Sequence, residues 1–140
     1  MPDPLAYLLT LRCHKPVAGA PPTYSLGEVH RDAVLESIRR VCRHRGWALR
    51  AAGVLRDHAG VVVATEEAPA IVLQAFQNYA SRLLEYKSDR AERRWAASGS
   101  TLYLWRPEDV AAAVRHVTAG DGAIYREGPV KRLGKWAAVA

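Results

Sequence analysis

Five histidines and two cysteines are the side chains of this sequence best suited to bind a metal ion or to act as nucleophiles. Cys13 and Cys42 have neither the CxxC spacing of a structural zinc site nor the multiple pairs of a secreted disulfide scaffold. We therefore predict that both are reduced, buried thiols of a cytoplasmic protein. Three histidines show no ligand spacing and are expected at the surface, namely His14, His30 and His44.

Basic residues outnumber acidic ones by 20 to 14, which gives a formal net charge of +6 and an isoelectric point near 9.7. Such a charge suits a polyanionic partner without naming it. The N-terminus has no basic n-region, and no apolar run approaches the roughly 20 residues that span a bilayer. Secreted and membrane proteins are therefore not expected. Four arginines share the outer face of the first predicted helix, ordinarily a solvated face and alternatively a nucleic-acid contact: Arg39, Arg40, Arg43 and Arg45.

The chain of 140 residues suits a single domain, and its hydrophobic periodicity predicts four strands and three helices. The strands are expected at residues 6–13, 47–55, 58–65 and 101–105. The helices are expected from the capping-box pair Ser25 and Glu28 to Gly46, from Pro69 onwards, and from Pro107 to Gly120. The short polar connection at residues 56–57 indicates an antiparallel hairpin between the second and third strands.

The predicted element order, β-α-β-β-α-β followed by a helix, is typical of a ferredoxin-like α+β fold. In this arrangement we expect an antiparallel sheet with helices packed on one face, and the other face free for a ligand. The predicted domain covers residues 1–122. The basic tail at residues 123–140 shows no clear periodicity and is expected to be irregular.

Side chains alternate across a strand, so His58, Gly60 and Val62 are expected on one face of the third strand. Several strings occur in a characteristic order between Tyr7 and Gly122. They are Tyr7 to Arg12, Val41-Cys42 through Arg45-Gly46-Trp47, Asp57 to Val63, Tyr79-Ala80-Ser81-Arg82, Arg94-Trp95 with Gly99-Ser100-Thr101, and Tyr103-Leu104-Trp105 leading into Ala113 to Val117. In order and spacing they resemble the HUH single-tyrosine transposases, especially the REP-associated and insertion-sequence branch.

The resemblance implies a chemistry in which a His-hydrophobic-His triplet on the third strand binds Mg²⁺ or Mn²⁺. A tyrosine on the last helix then attacks a DNA phosphate. Two histidines at positions i and i+2 of a strand point the same way and can share one ion. Here His58 matches the first ligand, Gly60 stands at the second, His116 stands at the nucleophile position, and Asp121 falls near a further polar ligand. The resemblance thus implies a catalytic position at His116 and a degenerate metal site at His58 and Asp121, with a weak or absent ion.

The resemblance also implies a DNA partner in single-stranded or hairpin form, a homodimeric assembly and no membrane attachment. Arginine contacts with phosphates supply affinity that is independent of base sequence. Trp95 and Trp105 are candidates for stacking on unpaired bases, and Trp105 alternatively belongs to the core. The predicted DNA-binding residues are Arg12, Arg50, Arg56, Arg90, Arg93 and Arg94.

The sequence leaves three functions open. The first is a transposase-like DNA-binding protein that has lost, or nearly lost, strand cleavage, because Gly60 and His116 replace a metal ligand and the nucleophile. The second is an active strand-transfer enzyme with a rearranged site that uses His116 or a displaced tyrosine. The third is a ferredoxin-like RNA-binding or assembly module, which the lack of an aromatic RNP string in the sequence disfavours.

Overall fold

The computed structural model describes residues 3–13, 26–87, 95 and 99–127, and these residues form five strands and three helices. In chain order the elements are β1 (Ala6–Arg12), α1 (Glu28–Arg45), β2 (Ala48–Val54), β3 (His58–Ala64), α2 (Pro69–Lys87), β4 (Ser100–Leu104), α3 (Pro107–Thr118) and β5 (Ala123–Arg126). The ends of the four predicted strands lie within one residue of the observed ends. None of the described helices is long and apolar enough to cross a membrane.

The strands form one sheet in the order β4-β1-β3-β2-β5, and every neighbouring pair is antiparallel. The first four strands in this order have the ferredoxin-like arrangement, so the predicted α+β class is confirmed. The central strands β1 and β3 carry nearly continuous apolar runs, and β3 is buried from Ala59 to Val63.

The predicted hairpin joins β2 to β3 through Leu55, Arg56 and Asp57, with Arg56 and Asp57 at the tip of the turn. The N–H of Leu55 donates to the carbonyl of His58 at 2.8 Å, which closes the turn. A two-residue turn fixes the register of the strands that it joins. Gly53 consequently lies directly opposite Gly60.

Helices α1 and α2 cover one face of the sheet, where they bury the larger part of the core. Val34 and Ile38 of α1, together with Val72 and Phe76 of α2, are fully buried against the sheet. The sheet side of this core includes Leu9, Leu11, Ala59, Val61 and Val63. The alternation predicted for β3 is therefore confirmed, because its odd-numbered residues face this core and Val62 faces the opposite side.

α3 covers the part of the second face formed by β2 and β3, so the expectation that this face is free for a ligand was wrong for that part. Leu102 of β4 lies on the same face and is 57% exposed. Ala113 and Val117 of α3 are buried against sheet residues that include Ala51 and Val62. The physical reason is the amphipathic pattern of α3, whose apolar stripe must be covered. The apolar second face of the central strands provides that cover.

The start of α1 also differs from the prediction. Its N-cap is Gly27, in an extended conformation with no side-chain capping bond, whereas the capping-box pattern predicts Ser25, which lies outside the described residues. Glycine is tolerated at an N-cap, because the residue there has non-helical backbone angles. At the other end, Gly46 adopts a left-handed conformation with φ of 73° and ends the helix.

The segment predicted to be irregular from Ala123 onwards contains a fifth strand, so that expectation was wrong for residues 123–126. β5 pairs with the outer edge of β2, and Ala123 and Tyr125 pack against the core between the sheet and helices α1 and α2. A strand of four residues is too short for periodicity to reveal, and its ladder with β2 stabilises it. The structure of residues 128–140 lies outside the described part of the chain.

Candidate functional site

His58 begins β3 directly after the hairpin turn, and its ring is paired with the carboxylate of Asp57. The distance from His58 Nδ1 to Asp57 Oδ1 is 2.8 Å, and the two side chains are 41% and 48% exposed. A carboxylate that accepts a hydrogen bond from Nδ1–H favours the tautomer in which Nε2 carries the free lone pair. His58 is thereby oriented as a single ligand or proton acceptor that faces solvent.

Two predicted DNA-binding arginines lie at the same end of the sheet as His58. Arg12 of β1 is the direct cross-strand partner of His58, and residues opposite each other in a ladder present their side chains on the same face. Arg56 occupies the hairpin turn, where its carbonyl accepts a hydrogen bond from the N–H of Leu26 at 2.7 Å. Both arginine side chains are exposed. The structure therefore brings together three of the predicted site residues, Arg12, Arg56 and His58.

Gly60, the position of the expected second ligand, is covered by α3. A Cβ atom added to Gly60 would lie 2.8 Å from Cγ1 of Val117. A Cβ atom added to Gly53 would overlap the carbonyl oxygen of Val117 and lie 3.0 Å from its carbonyl carbon. Gly53 and Gly60 are paired across β2 and β3, and together they let α3 approach the sheet closely. We call this pair the glycine seat.

His116 and Asp121 lie near the glycine seat, and both are exposed to solvent. His116 is exposed in the last turn of α3, and its neighbour Val117 is the residue that faces β3. Asp121 is exposed in the bend that follows the helix. The structure thus brings the last turn of α3 against Gly60, and it directs Val117 rather than His116 towards the strand.

The described residues do not fit a divalent metal ion. Nowhere in residues 3–13, 26–87, 95 and 99–127 do three His, Cys, Asp or Glu side chains come together as a group that could hold an ion. Hard cations such as Mg²⁺ take several oxygen ligands in near-octahedral geometry. Here Asp57 already bonds to His58, and Val117 fills the space at Gly60.

The remaining predicted DNA-binding residues are placed differently from Arg12 and Arg56. Arg50 lies at an irregularity between β2 and β3 and forms an ion pair with Glu127 at 3.2 Å, so part of its charge is neutralised. The other three, Arg90, Arg93 and Arg94, fall outside the described residues.

The two candidate stacking tryptophans have different environments. Trp95 is buried, and its Nε1–H donates to the hydroxyl of Ser81 at 2.9 Å, so it belongs to the core. Trp105 is 51% exposed at the end of β4, with its ring centroid 6.1 Å from that of Tyr103. Of the two, only Trp105 has a face accessible to a base.

The thiols of Cys13 and Cys42 are buried and not disulfide-bonded, as predicted. Burial raises the pKa of Cys42 to about 12. Burial, and then the charge of Asp57, raises the pKa of Cys13 to about 12. A thiol with so high a pKa stays protonated at neutral pH and is a poor nucleophile.

The glycine seat is the feature of this region that the sequence analysis missed. A glycine inside a strand often marks the close approach of another backbone. With a two-residue turn at Arg56 and Asp57, the register pairs Gly53 with Gly60, so two such glycines lie side by side. That pairing was available from the sequence and predicts a closely packed element on this face.

Comparison with solved structures connects this fold to two transposases. One is a REP-associated tyrosine transposase bound to a REP hairpin, with a TM-score of 0.64 and 12% sequence identity over 84% of this chain. The present chain spans 66% of that protein. The other is a protein of Deinococcus radiodurans R1 described as a transposase, with a TM-score of 0.52 and 14% identity over 88% of this chain and 95% of that one.

No protein-family model matches the sequence, and none of the curated proteins matches it either. At 12–14% identity the two solved structures establish a shared fold. The predicted resemblance to transposases is therefore confirmed at the level of the fold.

Proposed function

We propose, from a fold shared with DNA transposases, that this chain binds DNA in hairpin or single-stranded form and does not cleave it. The observation that carries the second half of the proposal is the packing of Val117 onto Gly60, where the resemblance places a metal ligand. The first half is supported by the hairpin-bound neighbour and by the net charge of +6.

The DNA-binding half of the proposal uses the end of the sheet at which Arg12, Arg56 and His58 meet. Arg12 and Arg56 are exposed, and Asp57, the acidic residue beside them, is paired with His58. Phosphate groups bind such arginines through charge-assisted hydrogen bonds. Trp105 offers a second kind of contact, because an exposed indole can stack on an unpaired base.

The proposed loss of cleavage is supported by what a strand-transfer reaction needs. The phosphate must be polarised, and a nucleophile must be placed in line with the departing oxygen. His58 is a single oriented imidazole, Gly60 supplies no donor atom, and His116 does not face the strand. The thiols of Cys13 and Cys42 stay protonated at neutral pH. These placements support a surface that binds phosphates and does not cleave them.

A labelled DNA hairpin with a randomised single-stranded extension tests both halves of this proposal. Fluorescence anisotropy in low salt should show binding. Denaturing gels after incubation with Mg²⁺ or Mn²⁺ should show no covalent adduct. The variant R12Q/R56Q should bind more weakly, with a salt dependence reduced by about two counterions. The variant R115Q/R126Q removes the same charge from exposed positions on α3 and β5 and serves as the matched control.

Each alternative corresponds to a distinct outcome of these measurements. A metal-dependent adduct that H58A or H116A abolishes would establish an active enzyme with a rearranged site that includes Asp121. Tighter binding of an RNA hairpin of the same sequence, or no binding in low salt, would favour an RNA-binding or assembly module. The proposal includes the homodimer implied by the resemblance, which light scattering after size-exclusion chromatography would detect as twice the 15.4 kDa monomer mass.

A further inference from the structure

The outer face of α1 carries three arginines around a single carboxylate. Glu36 pairs with Arg40 at 3.3 Å, with Arg43 at 3.4 Å and with Arg39 at 3.8 Å. The spacings of three, four and seven residues place these side chains on one stripe of the helix. With three positive charges around one negative charge, this stripe keeps an excess charge of +2. We call it the α1 arginine cluster.

Helix stability does not account for the whole cluster. One exposed ion pair at i,i+4 contributes about 0.3–0.5 kcal/mol, which a single arginine beside Glu36 would already supply. Arg39 and Arg43 stand at i,i+4 and Arg40 and Arg43 at i,i+3, spacings at which like charges destabilise a helix. Arg43 complements the negative end of the helix dipole, but Arg39 and Arg40 lie before the last turn. The cluster therefore holds more positive charge than the fold requires.

The surroundings of the cluster favour contacts with phosphates over contacts with bases. The guanidinium of Arg39 lies 4.9 Å from the ring centroid of Tyr125 and partly covers that ring. Trp47, under Arg45 at 5.5 Å, is only 8% exposed. Single-stranded DNA is bound through stacking on exposed aromatic rings, which these two residues do not offer. Arg40 and Arg43 are each 63% exposed and directed at solvent, as a duplex backbone requires.

We infer that the α1 arginine cluster binds the phosphate backbone of a DNA duplex, the stem of a hairpin. This inference rests on the proposed function and adds a second contact surface to it. α1 packs on the sheet face opposite to α3, so the cluster is distinct from the glycine seat. Along α1 the cluster lies about 20–25 Å from Leu26, which contacts Arg56. Arg12, the cross-strand partner of His58, lies on the α3 side of the sheet, so the cluster contacts a part of the hairpin different from the part that Arg12 contacts.

The test compares R40Q/R43Q with the charge-matched R115Q/R126Q on a hairpin with a 12-base-pair stem, over a salt titration. Loss of two phosphate contacts should reduce the slope of log K against log salt by about 1.8 in R40Q/R43Q. If both proteins bind equally at 1 M salt, that change weakens binding about 60-fold at 0.1 M. An unstructured oligonucleotide of the same length should show no such difference. Circular dichroism and the Tm establish that both variants are folded.

A third variant, E36Q, changes the cluster in the opposite direction. It removes the only negative charge from the cluster and should tighten hairpin binding and steepen its salt dependence. A purely structural cluster would predict lower helix stability and unchanged affinity.

The outcomes separate the inference from the proposed function. If the native protein binds no hairpin in low salt, both fail. If it binds, and R40Q/R43Q keeps the slope of the control, or loses as much affinity for the unstructured oligonucleotide, only the inference is overturned.

Discussion

Replacing Gly60 with alanine should destabilise the protein by about 1–2 kcal/mol, although alanine is ordinarily the better residue in a strand. The new Cβ would lie 2.8 Å from Cγ1 of Val117, well inside the contact distance of two carbons. Valine is restricted to one χ1 rotamer in a helix, so either that rotamer or the position of α3 must change. Overpacking of this kind costs about 1–3 kcal/mol, from which the backbone preference for alanine subtracts about 0.5–1 kcal/mol.

A double-mutant cycle isolates this contact. V117A removes Cγ1, so it should cost about 1–2 kcal/mol less in the G60A background than in the native protein. G53A is the matched control, because its Cβ would overlap the backbone oxygen of Val117, which no side-chain substitution removes. The coupling of V117A with G53A should therefore be smaller than its coupling with G60A.

Urea denaturation followed by tryptophan fluorescence and circular dichroism measures the four free energies of each cycle. The reasoning would be refuted if G60A proved as stable as the native protein. It would also be refuted if V117A coupled equally strongly to both glycine substitutions. Either result would mean that α3 does not lie on the glycine seat in solution.

Two further predictions concern the core thiols and the fifth strand. Cys13 and Cys42, with pKa values raised to about 12, should react with Ellman's reagent at pH 8 no faster than the protein unfolds locally or globally. In denaturant both thiols should react at once. Rapid reaction of the folded protein would contradict their burial. These pKa values exceed the value of about 8.5 that a thiol has in the unfolded chain, so each thiol contributes to the free energy of unfolding in full below pH 8.5. That contribution is lost as the pH rises towards 12, by up to about 1.4 kcal/mol per pH unit for each thiol. E127Q should weaken the ion pair with Arg50 and lower the free energy of unfolding by about 1 kcal/mol or less. Amide hydrogen exchange should become faster in β5 than in β3. Unchanged exchange at residues 123–126 would argue that the ion pair does not stabilise this edge strand.

Much of the fold could be predicted because its strands and helices have strong, separate periodicities. The side chains of β3 alternate between the two faces of the sheet, and the turn at Arg56 and Asp57 fixes β2 as its partner strand. The errors about α3 and β5 share one physical cause, because both concern which surface is available to be covered or extended. α3 shows its own apolar stripe, but the sequence does not state which face of the sheet receives it. β5 becomes a strand only because the edge of β2 is available to it.

The candidate site was harder to predict, because a sequence resemblance aligns residue positions but does not give the positions of side-chain atoms. The resemblance places His116 at the nucleophile position, whereas the last turn of α3 directs Val117 rather than His116 at the strand. The pairing of Asp57 with His58 could be suspected from their adjacency, but only the geometry shows their ring and carboxylate 2.8 Å apart. The arginine cluster follows from helical spacing, whereas the sharing of Glu36 by three arginines requires side-chain positions.

The absence of a side chain at position 60 and the close packing of α3 are one structural feature rather than two. A histidine at position 60 would need space for five ring atoms beyond the Cβ, and the Cβ alone already meets Val117. An imidazole at position 60 therefore requires α3 to move away from both Gly60 and Gly53, which uncovers Val62 and Ala51. Exposing those apolar side chains opposes the change at about 25 cal/mol for each Å² uncovered. A metal site at position 60 and the observed packing of α3 on the glycine seat thus exclude each other. Burial of the apolar side chains beneath α3 favours the observed packing.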